Sequence, residues 1–112
     1  MISSQMLKGM LEGCILKIIS SKQTYGYEIS EELKKYGFEK ISEGTIYPIL
    51  LRLERNNAIT AEYRESPNGP KRKYFSITPL GRKELQDFFL SWTELYNAIN
   101  LLFEIGGRGN AQ

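Results

Sequence analysis

Two stretches of this chain hold residue types whose spacing suits chemistry on an anion. The first is Ser42-Glu43-Gly44-Thr45, with Tyr47 one turn further along. It offers two aliphatic hydroxyls, a phenol, and a glycine that permits close backbone approach. Hydroxyls donate to phosphate oxygens or base edges, and free N–H groups at a helix start attract a phosphate. The second is Gly69-Pro70-Lys71-Arg72-Lys73, three consecutive cations at the base of a turn, with Tyr63 and Arg64 just before it. Cations grouped on a hairpin suit a nucleic-acid backbone or a narrow minor groove. Plainer readings also fit the residues. Ser42 suits an ordinary helix cap, and a solvated basic edge deters strand-to-strand association.

Other chemistries are poorly provided for. The chain has no histidine, which removes the commonest general base and the commonest metal ligand. One cysteine, Cys14, and no histidine cannot build a tetrahedral zinc site. There is no glycine-rich phosphate loop, no nucleophile elbow and no carboxylate pair that stands out as a site. The expectation is a protein that is not an enzyme and takes no metal or cofactor. The single cysteine also excludes an internal disulfide and fits a reducing compartment. The apolar stretch 13–19 is interrupted by Lys17 and is too short for a bilayer, so a cytoplasmic location without membrane contact is expected.

The net charge of +2 says little, but its distribution is informative. Residues 34–73 hold nine Lys/Arg against five Asp/Glu, whereas 1–33 hold three against four and 78–112 hold three against four. The basic third is the one that contains both candidate stretches.

The elements that must position them follow from periodicity. Met6, Leu7, Met10, Leu11, Cys14, Ile15, Ile18 and Ile19 predict one amphipathic helix over 6–20. Thr24 is expected to cap a second, from Tyr25 to Tyr36, with Tyr25, Ile29, Leu33 and Tyr36 as its apolar stripe and Gly37 as its stop. Ser42 is expected to cap a third, through Ile46, Ile49, Leu50 and Leu53 to Asn56. Pro48 lies inside it, where a missing N–H costs about 3 kcal/mol in an ordinary helix; a bend that serves recognition and a purely structural kink both fit. Two strands, 59–64 and 73–77, flank the turn cluster Ser66-Pro67-Asn68-Gly69-Pro70. Of Tyr74 and Phe75, one should be core and one surface. Thr78-Pro79 opens a long last helix.

Three helices, a hairpin and a fourth helix make a mainly α fold with a small β-hairpin. This is a winged helix-turn-helix with a long C-terminal extension. The expected division is a DNA-binding unit over 1–78, a dimerisation helix over 79–105 and a flexible tail over 106–112. In such a unit the second helix of the pair enters the major groove by its N-terminal residues. The candidate DNA contacts are therefore Ser42, Gly44, Thr45, Tyr47 and Arg52 of that helix and Gly69, Lys71, Arg72 and Lys73 of the wing. Tyr25 joins them, with phosphate contact and packing on the third helix both open.

Three motifs in register resemble the PadR family of transcriptional regulators, in its short-chain branch. They are Tyr25-Gly26-Tyr27-Glu28-Ile29, the run Gly44 to Leu50 with Leu53-Glu54, and Lys71 to Thr78 leading through Leu80-Gly81-Arg82. The resemblance spans about residues 7 to 103. It implies a repressor of an inverted-repeat operator on double-stranded DNA. A winged-helix protein-interaction module that does not read DNA is the alternative.

Dimerisation is expected independently. Leu85, Trp92 and Ile99, then Phe88, Leu95 and Leu102, then Phe89, Tyr96 and Phe103 recur at seven-residue intervals. That apolar surface exceeds what a lone helix on a small domain can cover, so a homodimer built on Leu85, Phe88, Trp92, Leu95, Ile99, Leu102 and Phe103 is expected. The resemblance extends to multidrug-sensing members through Phe89-Leu90-Ser91-Trp92. It implies a pore at the dimer centre for a planar aromatic effector, lined by Met6, Gly9, Met10, Gly13, Phe89, Trp92 and Tyr96. Dimer core is the other reading of Trp92.

Overall fold

The structure, a computed structural model, describes residues 2–107. In chain order the elements are α1 (Ser4–Leu7), α2 (Leu11–Ser21), β1 (Thr24–Tyr25), α3 (Gly26–Lys35), α4 (Glu43–Arg55), β2 (Ile59–Ser66), β3 (Gly69–Ile77) and α5 (Pro79–Gly107). The strands form one antiparallel sheet in the order β1-β3-β2. This is a winged helix with a long final helix, as the pattern of elements predicts.

One core serves all of it. Ile15, Leu16 and Ile19 of α2, Ile29 and Leu33 of α3, and Ile46, Leu50 and Leu53 of α4 are buried together with Ile59 and Phe75 of the sheet. Each such side chain contributes about 1.5–3 kcal/mol on full burial, so the three helices and the wing stand or fall together. Cys14 packs at the edge of this core, and burial pushes its thiol above the ordinary value. Phe75 is the core member of the Tyr74-Phe75 pair.

The caps set the angles. Gly37, at φ +100°, follows α3, and the Phe38 N–H donates to the Leu33 carbonyl at 3.1 Å. Asn57, at φ +64°, ends α4 the same way, the Ala58 N–H donating to the Leu53 carbonyl at 2.9 Å. Both are left-handed caps that reverse the chain within two residues. At α5, the Thr78 hydroxyl accepts from the Gly81 N–H at 3.0 Å and approaches the Asn57 carbonyl at 2.7 Å. One side chain thus caps α5 and ties it to the end of α4.

Several expectations are corrected. The first helix is not continuous. Gly9, at φ +90°, breaks it into α1 and α2, a left-handed conformation that interrupts the ladder although the apolar period runs on. Thr24 does not cap α3. It lies in β1, a strand too short to show a period, and Tyr25 is the cap position in extended conformation. Tyr36 is exposed beyond the end of α3 rather than part of its buried stripe. The strands run to Ser66 and from Gly69, leaving a two-residue turn at 67–68. The last helix continues to Gly107, two residues into the expected tail, and the rest of that tail lies outside the described residues.

Loss of the Thr78 hydroxyl removes its bond from the Gly81 N–H and its bonds to the Asn57 and Ala58 carbonyls. Thr78→Ala should lower stability by about 1.5 kcal/mol, and Thr78→Ser should retain most of it, as read by urea unfolding.

Candidate nucleic-acid interface

The start of α4 is open to solvent. Ser42, Gly44, Thr45, Tyr47 and Pro48 are exposed, while Ile46, Leu50 and Leu53 on the other side of the helix are buried. Ser42 takes the extended cap conformation, yet its hydroxyl makes no capping hydrogen bond to the first turn. The positive end of the helix dipole is therefore presented without a side-chain acceptor of its own. α4 passes through Pro48 unbroken from Glu43 to Arg55. Proline has no N–H to give the Gly44 carbonyl, which is left to solvent or to a ligand.

Tyr47 locates this end of α4 against α3. Its phenol lies over Gly26, where even a methyl group would come within 2.8 Å of the phenol oxygen. Burial, and then the neighbouring Glu43 carboxylate, push the Tyr47 phenol above its ordinary value. Glu43 is thus engaged beside Tyr47 and is only half exposed.

The wing is joined to the same place by β1. Thr24 pairs with Phe75 and Tyr25 with Tyr74, so the residue that starts α3 is hydrogen-bonded into the central strand of the wing. Thr24 is buried and its hydroxyl donates to Glu28 at 2.8 Å. Tyr25 meets Tyr74 with ring centroids 5.2 Å apart, and the Arg72 guanidinium lies 4.6 Å from the centre of the Tyr25 ring. Tyr25, Gly26, Tyr47 and Arg72 form one continuous surface linking the start of α4 to the wing.

The expected cations divide by face, because neighbours on a strand point to opposite sides. Arg72 shares the outer face of the sheet with Tyr25 and Tyr74. Lys73 is on the inner side, partly buried, with its ammonium 3.0 Å from Glu54 of α4. Lys71 is exposed, 3.8 Å from Glu65, and Gly69 is exposed at the start of β3. Arg52 is turned from the start of α4 toward α2, where it pairs with Glu12 at 2.9 Å. Two residues absent from the expected site stand beside it. Arg64 lies directly across from Arg72, and Tyr74 carries the Arg64 guanidinium 4.8 Å from its ring centre. The two-residue turn alone would set Arg64 opposite Lys71; an irregularity between Arg64 and Ser66 shifts the register by one and brings Arg64 opposite Arg72.

The residues expected on the dimer side are placed as follows. Leu85 packs on the core of its own chain, and Phe88 lies on Gly13, where an added methyl would meet the ring at 2.3 Å. Early in α5 the apolar stripe lies against its own chain, with Leu85 and Phe88 half-buried there and the Phe88 ring filling the space beside Gly13. Phe89, Trp92, Leu95, Tyr96, Ile99, Leu102 and Phe103 are exposed. Trp92 stacks on Tyr96 at 5.0 Å and lies 6.4 Å from Phe89. A groove of about 350 Å³ runs between Gly9 and Met10 on one side and Phe88, Ser91, Trp92 and Leu95 on the other, with Glu84 and Asp87 at its edge. Met6 is highly exposed and, with Gly13, Phe89 and Tyr96, does not line it. Among the described residues no His/Cys/Asp/Glu cluster could hold a metal ion, and no helix is long and apolar enough to cross a membrane.

Comparison with known proteins places this geometry. Residues 15–87 match the model of the transcriptional regulator PadR-like family. An uncharacterised protein of Lysinibacillus sphaericus is 38% identical over 106 residues, covering 93% of this chain and 97% of that protein. The crystal structure of a PadR-like transcriptional regulator from Bacillus cereus is 50% identical with a TM-score of 0.80, covering 89% of this chain and 97% of that one. The structure of PadR from Bacillus subtilis in complex with operator DNA is 26% identical with a TM-score of 0.66, covering 71% of this chain and 46% of that one.

Gly26→Ala should displace only the tip of Tyr47, a flexible side chain. Thermal unfolding should shift by less than about 4 °C, while affinity for duplex DNA should fall about tenfold by fluorescence anisotropy.

Proposed function

The chain belongs to the PadR-like family of transcriptional regulators, DNA-binding proteins rather than enzymes, and on that premise we propose that it is a homodimeric repressor of an inverted-repeat operator. The observation that carries the reading is the exposed first turn of α4, with its Ser42 hydroxyl unspent, set beside the wing by Tyr25. Ser42, Gly44, Thr45 and Tyr47 face the major groove, and Arg72 meets the flanking backbone. A Bacillus subtilis relative is known in complex with operator DNA, which supports DNA as the ligand. Action on DNA is in keeping with a cytoplasmic site of action.

The dimer rests on α5. Its residues from Phe89 to Phe103 leave a run of large apolar side chains exposed, more than a stable monomer carries without a partner. Two-fold pairing through Trp92, Leu95, Ile99, Leu102 and Phe103 covers them and spaces the two α4 helices by about one turn of DNA, roughly 34–36 Å, or a multiple. The groove beside Trp92 is the place for a planar aromatic effector. Its walls combine the Trp92 indole and the Phe88 ring with Met10 and Leu95, surfaces that adapt to flat apolar ligands.

A gel shift with DNA from upstream of the chain's own gene should show a discrete complex that a scrambled duplex does not compete away. Equal competition would remove the sequence-specific reading. Ile99→Glu should halve the mass in sedimentation and weaken operator binding about a hundredfold, through loss of the second half-site.

Titration with a planar aromatic dye should quench Trp92 fluorescence and release the DNA. Unchanged emission at high micromolar dye would leave Trp92 as dimer core.

A further inference from the structure

The outer face of the sheet holds an arrangement that folding alone does not favour. Arg64 and Arg72 are directly opposed on neighbouring strands. Like charges in that relation repel across antiparallel strands. Each guanidinium is nonetheless held in place. Arg72 lies over Tyr25 and Arg64 over Tyr74, and the two rings touch each other. Gln23 completes the layer. Its carboxamide oxygen accepts from Arg64, and its amide nitrogen donates to Ser76 at 2.9 Å.

Ion pairing separates Arg72 from Lys73. Lys73 is held by Glu54 and Lys71 pairs with Glu65, whereas Arg72 takes part in none of the ion pairs among the described residues. Arg64 has only Glu62, 3.6 Å away on an exposed surface. The register gives their level. Tyr25 pairs with Tyr74 where α3 begins. The Arg72–Arg64 pair lies two residues nearer the hairpin turn. Both guanidiniums fold back over the rings of that Tyr25–Tyr74 pair, at the level where α3 begins.

We propose that Arg64 and Arg72 form the wing's phosphate-contacting pair, that Tyr25 and Tyr74 are their positioning residues, and that Lys73 is a structural cation with no part in DNA contact. The repulsion between the two guanidiniums is relieved when DNA phosphates enter between and beside them. Rigid stacking on tyrosine leaves little side-chain freedom to lose at that moment. The inference rests on the DNA-binding reading above and assigns the charges that serve it.

The test is the salt dependence of binding, measured by fluorescence anisotropy between 50 and 200 mM NaCl. The probes are the upstream fragment and an unrelated 30-bp duplex. Each phosphate contact contributes about 0.9 to the slope of log K against log salt, so Arg64→Gln or Arg72→Gln should make the slope shallower by about 2 per dimer on both duplexes. Lys73→Gln should leave the slope unchanged while lowering the melting temperature. Arg64→Lys should keep the slope and lose affinity, which separates the charge from its stacking. Tyr74→Leu should weaken binding about fivefold at constant slope, with Tyr74→Phe restoring it. Unaltered slopes for both arginine variants, or a slope change at Lys73 as large as theirs, would overturn the assignment. Failure of the unsubstituted protein to bind either duplex would instead overturn the DNA-binding reading itself.

Discussion

The functional surface depends on the pairing of two residues, Thr24 and Tyr25, with the middle of β3. A winged helix has two parts that must meet one ligand, a helix start and a hairpin, and nothing in their separate stabilities fixes the distance between them. Here β1 is the link. Thr24 is buried and bonded to Glu28, which holds the strand to α3 from below, while Tyr25 both begins α3 and stacks in the wing. The register of two hydrogen-bonded residues thereby sets the wing against the helix-turn-helix unit. Phe75, opposite Thr24, seals that junction into the common core.

From that pairing follows a division of labour between the faces of the sheet. Inward, Phe75 and Ile59 enter the core and Lys73 neutralises Glu54 near the end of α4. Outward, the arginines and tyrosines form a layer with few carboxylates. Three adjacent cations in sequence thus become two kinds of group. A charge alone does not say which; the parity of its position relative to Phe75 does.

How far this was legible from sequence depends on the range of the signal. Helix existence, the Ser42 and Thr78 starts, the hairpin and the heptad stripe are local patterns repeated over several turns or marked by proline and asparagine, and they stand in the structure. β1 had no such pattern, since two residues cannot alternate. The break at Gly9 was hidden because apolar spacing continues across it, and a glycine within a period does not announce a left-handed φ. Arg52 was assigned by its helix, but its partner Glu12 lies forty residues away, and only the tertiary fold brings them together. Arg64 and Tyr74 take their meaning from cross-strand register, which the irregularity between Arg64 and Ser66 shifts away from the one the turn alone implies.

The heptad stripe of α5 raises a subtler case, because one periodic signal serves two neighbours. Leu85 and Phe88 satisfy the repeat by packing on their own core and on Gly13, while the large apolar residues from Phe89 to Phe103 stay exposed among the described residues. A helix of 29 residues spans about 43 Å, longer than the domain is thick, so its far half has no intramolecular surface to reach. Its near end is fixed just as firmly, by Thr78 bonded to the carbonyls that close α4. No flexible joint therefore intervenes between the outlying apolar face and the helix placed to read DNA. Any partner that docks along α5 dictates where a second α4 stands. The proposed ligand beside Trp92 would act on that same rigid connection.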